Sequence, residues 1–312
     1  MFVTLLCKLK FVCCGGNDLR YVGWEKHVKT ITIHAPPTVK SKARTTSSNY
    51  TIPMKLSVII ITKNEAANIQ ACLDSVRFAD QWIIVDSGST DDTVAIARAA
   101  GATVIETTDW PGFGPQKSRA LAAAQGEWVL SLDADERISD VLRDEILGVM
   151  AAPKASSYAL PRLSSFCGHF IRHSGWYPDY IVRLFRRGTA QFSSDLVHER
   201  IIVSQGTPAK LREHIVHYSY LNDDDYLRKL AQYSSLSAEQ AYAAGKRSSL
   251  TKAIVHAISA FLRSYVFKRG CLDGRAGFMV AISSAESTYH KYVKLMLLTE
   301  GTTTPKARQP HV

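Results

Sequence analysis

The chain has 312 residues, of which 46% are hydrophobic and 21% charged. This is enough apolar content to bury one large core with a smaller satellite, and it excludes a disordered or fibrous protein. The formal net charge of +10 favours an anionic partner such as a nucleotide, a nucleic acid or a membrane surface. Residues 1–53 carry eight Lys or Arg against two acids, so the rest of the chain has a net charge of only +4 and nucleic-acid binding loses support.

The first 53 residues differ in character from the remainder. They show no sustained hydrophobic periodicity of a helix or a strand. They end in APPTVKSKARTTSSNYTIP, a stretch rich in Pro, Ser, Thr and Lys that is typical of a linker. The opening MFVTLLCKLKFVCC is not interpreted as a signal peptide, because Lys8 and Lys10 interrupt its apolar part and no clean cleavage site follows. We expect residues 1–53 to be a disordered basic extension and Met54 to begin the folded domain.

Cysteine use and hydropathy bear on the compartment. The six cysteines form no C-x-x-C pair and no zinc-site spacing, which favours a reducing, cytoplasmic setting. The sequence contains no apolar run of the roughly 18 to 20 residues that a membrane-spanning helix needs.

From Met54 onward, strands and helices alternate. Continuous apolar runs predict buried strands, and segments with helical spacing lie between them; the predicted strands are 56–62, 81–86, 102–106 and 127–133. This order predicts an α/β fold with a mostly parallel, Rossmann-like sheet flanked by helices. In such sheets, ligands bind at the carboxyl ends of the strands.

The predicted secondary structure changes twice in the second half of the chain. Shorter strands are predicted within 156–163, 180–188, 196–203 and 211–220, where they would complete the sheet of a domain spanning 54–220. Residues 221–312 are predicted to form a helical C-terminal appendage. Its segment 249–270 is apolar on one side and basic around it, so it either lies on a membrane surface or packs on the main domain.

A cluster of acids follows the fourth predicted strand, in the stretch WVLSLDADERIS. Asp133 and Asp135 are two positions apart and would leave the strand end on one side, where their carboxylates repel each other. A positive charge is therefore expected beside them.

Other polar groups are predicted at the same edge of the sheet. The first strand ends in TKNE, the second in VDSGSTDDT, and the helix before the fourth strand carries Lys117 and Arg119. The sequence has neither a P-loop nor a GxGxxG after the first strand, which argues against the common phosphate-binding and dinucleotide-binding sites.

These motifs resemble, in order and approximate spacing, those of the GT-A fold glycosyltransferases of family 2. The resemblance rests on SVIIITKNE, VDSGSTDDT and LDADE, and covers residues 55 to about 200. Within that family, VHER, RHSGWYPD, RLFRR and the C-terminal LDGRAGF…KYVKL look like the lipopolysaccharide core β-1,4-glucosyltransferase group. The Q-x-x-R-W motif of processive synthases is missing, which implies a single transfer.

The resemblance implies roles for the residues at the donor site. DADE looks like the D-x-D motif, with Asp135 as ligand of Mg²⁺ or Mn²⁺ and Asp133 facing the donor ribose or the metal shell. Asp86 would bind the uracil imide. The remaining donor-site candidates are Thr62, Asn64, Glu65 and Lys117. Lys117 would meet a phosphate or the base edge, or would lie on a solvated helix face.

The reaction implied is inversion at the anomeric carbon, which needs one base for the acceptor hydroxyl. SSDLVHER supplies three candidates, Asp195, His198 and Glu199, of which Glu199 is favoured. Trp176, Tyr177 and Asp179 are candidates for binding the acceptor, although the two aromatic residues are as typical of packing.

The function implied is transfer of glucose from UDP-glucose to the heptose region of the lipopolysaccharide inner core. The enzyme would lie peripherally on the cytoplasmic face of the inner membrane, with a lipid-anchored saccharide as acceptor and no nucleic-acid partner. Two alternatives remain: a transferase acting on a polyprenyl phosphate or another cell-envelope acceptor, and a non-catalytic protein that binds nucleotide sugars.

Overall fold

Four parallel strands form one half of the sheet in this computed structural model, which describes residues 55–193 and 199–301. They are β1 (Leu56–Thr62), β2 (Gln81–Asp86), β3 (Thr103–Glu106) and β4 (Trp128–Asp133). Helices α1 (Ala66–Ser75), α2 (Thr93–Ala99) and α3 (Phe113–Ala123) connect them. The central strand β1 is buried on both faces, with Val58, Ile59 and Ile60 at most 1% exposed, which explains its unbroken apolar sequence.

In the strand order β3-β2-β1-β4 the chain adds β2 and β3 on one side of β1 and then returns to place β4 on the other side. In an open α/β sheet this reversal opens a crevice at the carboxyl ends of the strands, and that is where ligands bind. Thr62 and Asp133 end β1 and β4 on the two sides of this point. The predicted mostly parallel sheet is therefore confirmed, together with the edge at which a site was expected.

The other half of the sheet is mixed. Its elements are β5 (Glu136–Arg137), α4 (Asp140–Ala151), β6 (Ser157–Phe166), β7 (His169–Phe170), β8 (Asp179–Arg186), β11 (Ala209–Lys210) and β12 (Ile215–Tyr220). The order continues β4-β8-β6-β12-β5, and β7 and β11 pair with β6. Strand β8 runs antiparallel to both β4 and β6, so residues from a distant part of the sequence lie next to the end of β4.

One predicted strand lies elsewhere. Segment 196–203 was expected to complete the main sheet, but its described part, residues 199–203, forms β10 (Ile201–Val203), which pairs antiparallel with β9 (Ala190–Phe192) in a separate two-stranded sheet. The two strands are close in sequence, so local pairing with β9 is available without a long connection. Phe192 and Ile201 then pack on the same apolar cluster as Ala120 of α3.

The described part of the C-terminal appendage contains three α-helices, in agreement with the prediction that it is helical. They are α5 (Asp223–Ala243), α6 (Leu250–Leu262) and α7 (Gly274–Thr299), with a π-helical turn at Arg263–Phe267 and a 3₁₀ turn at Gly270–Asp273. Helix α5 begins where the Asn222 side chain accepts a hydrogen bond from the Asp225 N–H (2.8 Å). Among the described residues, no helix has both the length and the apolar content to cross a membrane.

An aromatic cluster joins the appendage to the sheet. Phe166 at the end of β6 and Ile171 pack against Tyr226 of α5 and Val280 of α7, and all four are buried. The Tyr226 hydroxyl donates to the backbone carbonyl of Ser283 in α7 (2.8 Å). The helices and the sheet therefore share a core, which fixes the appendage beside the second half of the sheet.

Candidate active site

The acidic stretch turns back on itself at the end of β4. After Asp133 the chain makes a turn, and Glu136 enters β5, which pairs antiparallel with β12. The fully buried Glu136 carboxylate accepts a hydrogen bond from the Asp133 N–H (3.0 Å), which holds the turn closed. The side chains of Asp133 and Asp135 then have different neighbours.

Asp133 is bound by two cationic side chains of the protein. One carboxylate oxygen lies 2.9 Å from the Lys117 ammonium and the other 2.5 Å from the Arg183 guanidinium. Burial alone would raise the pKa of Asp133, but Arg183 and Lys117 together hold that pKa well below its usual range. The positive charge expected beside this acid is thus supplied in part by the protein itself.

Arg183 extends the ion pair into a buried network. Its guanidinium also contacts Glu136 (2.7 Å), and Glu136 lies 3.7 Å from Arg162. Arg162 in turn binds Asp179 at 2.7 Å. Sequence reasoning assigned no role to Arg183 or Arg162; the available signal was an arginine directly followed by leucine inside each of two predicted strands, in VRL and PRL.

Lys117 lies in the interior, so the alternative that it occupies a solvated helix face is wrong. Its side chain is 5% exposed, and its ammonium binds both Asp133 and the Glu199 carboxylate, which is 2.7 Å away. Lys117 lies among the buried residues of α3, together with Gly114, Gln116 and Ala120. Glu199, the favoured base, is therefore linked through Lys117 to Asp133, the first acid of the D-x-D stretch. Asp195 and His198 lie outside the described residues.

A glycine allows α3 to approach the segment that leads to Glu199. A Cβ atom added at Gly114 would lie 1.9 Å from the Ser193 carbonyl oxygen. We expect Gly114→Ala to lower the free energy of unfolding by roughly 1–3 kcal/mol, because backbone must move to accommodate the methyl group. Urea denaturation measures this change.

Gly148 in α4 is the matched control, because a Cβ added there meets nothing within 4 Å. Gly148→Ala should raise stability by up to about 1 kcal/mol, the usual helix preference of Ala over Gly. Equal effects of the two substitutions would show that the approach at Gly114 is not tight.

Asp86 orders the loop between β2 and α2. One carboxylate oxygen accepts from the backbone N–H groups of Gly88 and Ser89 (3.0 and 2.8 Å). The other accepts from the hydroxyls of Thr62 and Ser89 (2.8 and 2.5 Å). All four lone-pair positions are thus used within the chain, so a uracil imide would have to displace a hydroxyl. The uracil-binding role of Asp86 stays a prediction.

Asn64 and Glu65 tie the end of β1 to the same loop. Asn64 has a positive φ of 55°, its N–H donates to the Ser89 hydroxyl (2.8 Å), and its side-chain oxygen accepts from the Thr90 N–H (2.8 Å). The Glu65 N–H donates to the Thr93 hydroxyl (2.8 Å), and burial raises the pKa of the Glu65 carboxyl. Together with Thr62, these residues form one hydrogen-bonded rim on the crevice.

Asp135 contacts a histidine that sequence reasoning missed. Its carboxylate lies 3.3 Å from Nε2 of His217 on β12, and Nδ1 of the same ring is 2.9 Å from the Ser164 hydroxyl. When Nδ1 donates to Ser164, Nε2 carries the lone pair that a metal ion needs. The signal was a lone histidine in the apolar strand IVHYSY.

The donors beside Asp135 are one carboxylate and one imidazole. No three metal-ligating side chains converge in the parts of the chain that the structure describes. One carboxylate nevertheless suits Mg²⁺ or Mn²⁺ when substrate phosphates and water complete the shell, and the imidazole would add a nitrogen ligand that Mn²⁺ accepts more readily than Mg²⁺. Asp133, the other predicted ligand, is instead engaged by Lys117 and Arg183.

The predicted acceptor residues divide into packing and polar groups. Trp176 packs edge-on against Phe166 (ring centroids 6.0 Å apart), so its ring belongs to the core between sheet and helices. Tyr177 is half-buried and lies edge-on to His214 at 6.0 Å. Asp179 is the outer end of the buried ion network. All three side chains keep part of their surface exposed, so burial excludes none of them from contact with an acceptor.

The sequence of residues 57–218 matches the family described as glycosyl transferase family 2. An uncharacterized glycosyltransferase of Rickettsia felis is 32% identical over 253 residues, which cover 77% of this chain and 89% of that protein. The lipopolysaccharide core biosynthesis glycosyltransferase LpsC of Rhizobium meliloti is 31% identical over 244 residues, 74% of this chain and 88% of that protein.

Among solved structures, glucosyl-3-phosphoglycerate synthase from Mycobacterium tuberculosis, in complex with Mn²⁺, UDP and glucosyl-3-phosphoglycerate, is similar over a short region. The match has 29% identity and a TM-score of 0.31, and covers 36% of this chain and 44% of that one. So limited a superposition supports no inference about this chain. The two longer sequence matches and the family match confirm the resemblance on which the site residues were first selected.

Proposed function

The chain belongs to glycosyltransferase family 2, and on that premise we propose that it transfers glucose from UDP-glucose, with inversion, to the heptose region of a lipopolysaccharide core saccharide. The observation that carries the acceptor class is the 31% identity to a lipopolysaccharide core biosynthesis glycosyltransferase over 74% of the chain. The choice of UDP-glucose rests on the motifs that resemble the β-1,4-glucosyltransferase group.

Glu199 is the proposed base. It takes the proton of the acceptor hydroxyl as that oxygen forms a bond to the anomeric carbon, while the bond from this carbon to the diphosphate breaks and UDP leaves with the electron pair. The Lys117 ammonium lies 2.7 Å from Glu199 and holds its carboxylate beside the strand ends. When Glu199 becomes protonated, Lys117 keeps its second partner, Asp133, so no buried charge is left unpaired.

Asp135 and His217 are the proposed holders of Mg²⁺ or Mn²⁺. Such a cation supplies charge stabilisation to the departing diphosphate. The Ser164 hydroxyl orients the His217 ring, and the β5–β12 pairing fixes the turn that carries Asp135.

The test is turnover of a panel of nucleotide sugars by purified protein, measured as release of nucleoside diphosphate. UDP-glucose should be hydrolysed fastest, and a heptose-containing core acceptor should accelerate its consumption. Glu199→Gln should abolish the acceptor-dependent part. A preference for a guanosine or cytidine donor would overturn the donor proposal, and full activity of Glu199→Gln would overturn the base.

The acceptor is lipid-anchored in this proposal, and the enzyme reaches it from the cytoplasmic face of the inner membrane. Helix α6 packs on α7 through Ala253, yet it leaves a row of apolar side chains in solvent, including Val255 (58% exposed) and Ile258 (56%). Phe267 in the following turn is 78% exposed. An apolar helix face flanked by Lys and Arg is typical of a segment that lies in the membrane interface.

Sedimentation with vesicles tests this surface. Phe267→Ser should weaken binding to anionic vesicles, because a Phe side chain contributes about 2 kcal/mol when it leaves water. Val141→Ser is the control, since Val141 is 59% exposed on α4, away from this face. Equal binding by the wild type and Phe267→Ser would contradict the membrane contact while leaving the donor chemistry untouched.

A further inference from the structure

A cavity of about 470 Å³ opens between α6, α7 and the loop that precedes β8. It lies within the size range of small-molecule binding sites. Its polar lining includes three cations, Arg263, Lys268 and Lys291, together with four serines, Thr288, His256 and Tyr292. None of these residues belongs to the site at the strand ends.

The charge of the cavity is unbalanced. Its lining contains no carboxylate. Neither Arg263, Lys268 nor Lys291 forms a salt bridge with any residue in the described ranges. At the strand-end site, by contrast, Lys117 and Arg183 each have a carboxylate partner. Three cations gathered around one cavity create a positive potential that favours a ligand carrying more than one negative charge.

Two serines beneath the cations have unused hydroxyls. The Oγ atoms of Ser174 and Ser264 are buried and make no hydrogen bond to the described residues. The serine and threonine on the α7 side differ, because Ser284 and Thr288 donate to carbonyls of their own helix (2.9 and 2.8 Å). The Oγ atoms of Ser174 and Ser264 are closed off from solvent, so a ligand would reach them only after a change of side-chain rotamer, whereas Ser259 is exposed.

The floor of the cavity is held firmly in place. The Ser174 N–H donates to the Lys268 carbonyl (2.9 Å), and the Lys268 side chain runs along Gly175, where an added Cβ would meet its Cγ at 3.5 Å. A Cβ added at Gly270 would lie 2.4 Å from the Ser174 hydroxyl. The loop and the turn after α6 are therefore packed together without room for a side chain, so the cationic groups surround a fixed position.

We propose that this cavity binds the phosphate monoester of an anionic lipid. Arg and Lys with hydroxyl donors match a doubly charged, tetrahedral oxyanion better than a single carboxylate. The apolar side chains Ile258, Val266 and Phe267, which are 53–78% exposed, lie on the same helix and turn as Arg263. A phosphate in the cavity would thus have its acyl chains beside an apolar surface. The proposal extends the membrane contact by a specific headgroup site and does not depend on the donor chemistry.

The site also lies next to the acceptor side of the crevice. Ser174 and Gly175 form its floor, and the same loop continues into Trp176 and Tyr177. A lipid phosphate held here would anchor the protein with that loop toward the membrane. Phosphate binding and acceptor approach would then occur on one face of the protein.

The test uses the full chain and two phosphate sources. The first is inorganic phosphate, titrated by calorimetry. The second is phosphatidylcholine vesicles that contain either phosphatidic acid or phosphatidylglycerol, compared at equal surface charge by sedimentation. The wild type should bind inorganic phosphate and should prefer phosphatidic acid vesicles, because only their headgroup is a monoester.

Arg263→Gln/Lys291→Gln should lose that preference and weaken phosphate binding by at least about tenfold, as expected when charge-assisted hydrogen bonds are removed. Lys252→Gln/Arg275→Gln is the matched control. It makes the same change of charge on α6, which leads directly into Arg263, and on α7, which carries Lys291, at exposed positions outside the cavity. Unaltered UDP-glucose hydrolysis in both variants would show that the donor site is intact.

Three outcomes would overturn the proposal in whole or in part. If the wild type binds no inorganic phosphate and shows no headgroup preference, the cavity is not a phosphate site. If both double variants lose binding equally, attraction is due to general surface charge. If phosphate binds through Arg263 and Lys291 but phosphatidic acid is not preferred, the ligand is a soluble phosphate compound and the lipid assignment is wrong.

Discussion

Asp135→Asn is expected to abolish sugar transfer and leave the fold intact. The amide is uncharged and a poorer cation ligand, yet it has almost the same volume, so the substitution opens no cavity. Loss of a metal's charge stabilisation should lower kcat roughly a thousandfold, which corresponds to about 4 kcal/mol of barrier. The measurement is release of UDP from UDP-glucose with saturating Mg²⁺ or Mn²⁺, together with the melting temperature.

Asp144→Asn supplies the control for that experiment, because Asp144 is an exposed α4 carboxylate paired with Arg143. It should retain full turnover. His217→Ala should resemble Asp135→Asn if the two side chains hold the same cation. Unchanged turnover of Asp135→Asn, or full activity of the wild type in excess chelator, would contradict the metal assignment.

Arg183→Met should produce the largest loss of stability among single substitutions at the site. Its guanidinium is 7% exposed and neutralises both Asp133 and the fully buried Glu136. Removal of one member of a buried ion network typically costs about 3–5 kcal/mol, because the remaining charges stay buried without their partner. Urea denaturation at neutral pH should show this decrease.

Arg186→Met tests whether burial accounts for the effect. Arg186 lies on the same strand, its side chain is 44% exposed, and it pairs with Glu127 at 3.2 Å. A surface pair of this kind contributes about 0–1 kcal/mol, so the control should unfold nearly as the wild type does. Similar losses in the two variants would mean that the network around Arg183 is not the source of stability.

The first half of the sheet could be predicted from sequence because each of its strands is a local signal. The predicted strands 56–62 and 81–86 agree with β1 and β2 to the residue, since burial on both faces leaves an unbroken apolar run. The polar residues that follow were then placed at one edge by the topology of parallel sheets alone. That reasoning needs no knowledge of long-range pairing.

The partners of the acids could not be predicted, because they come from long-range pairings. Arg183 meets Asp133 only because β8 inserts antiparallel between β4 and β6, and His217 meets Asp135 only because β12 lies beside β5. Helical spacing likewise could not tell which way Lys117 would face. The positions of the acids at the strand end could be predicted from the sequence, whereas the cations that neutralise them come next to the acids only in the completed fold.

The pairing of β5 with β12 also bears on how the protein is made. Among the described strands β5 pairs only with β12, so the turn that carries Asp135 lacks its support until the ribosome has released the chain through Tyr220. The β1–β4 half can form earlier, since its contacts are closer in sequence. Glu136, which is buried in the folded protein, consequently stays exposed for several seconds of synthesis, until the strand that encloses it has been made. A nascent chain stalled before residue 215 should therefore hold a folded donor half whose acidic turn is still open to solvent and to chaperones.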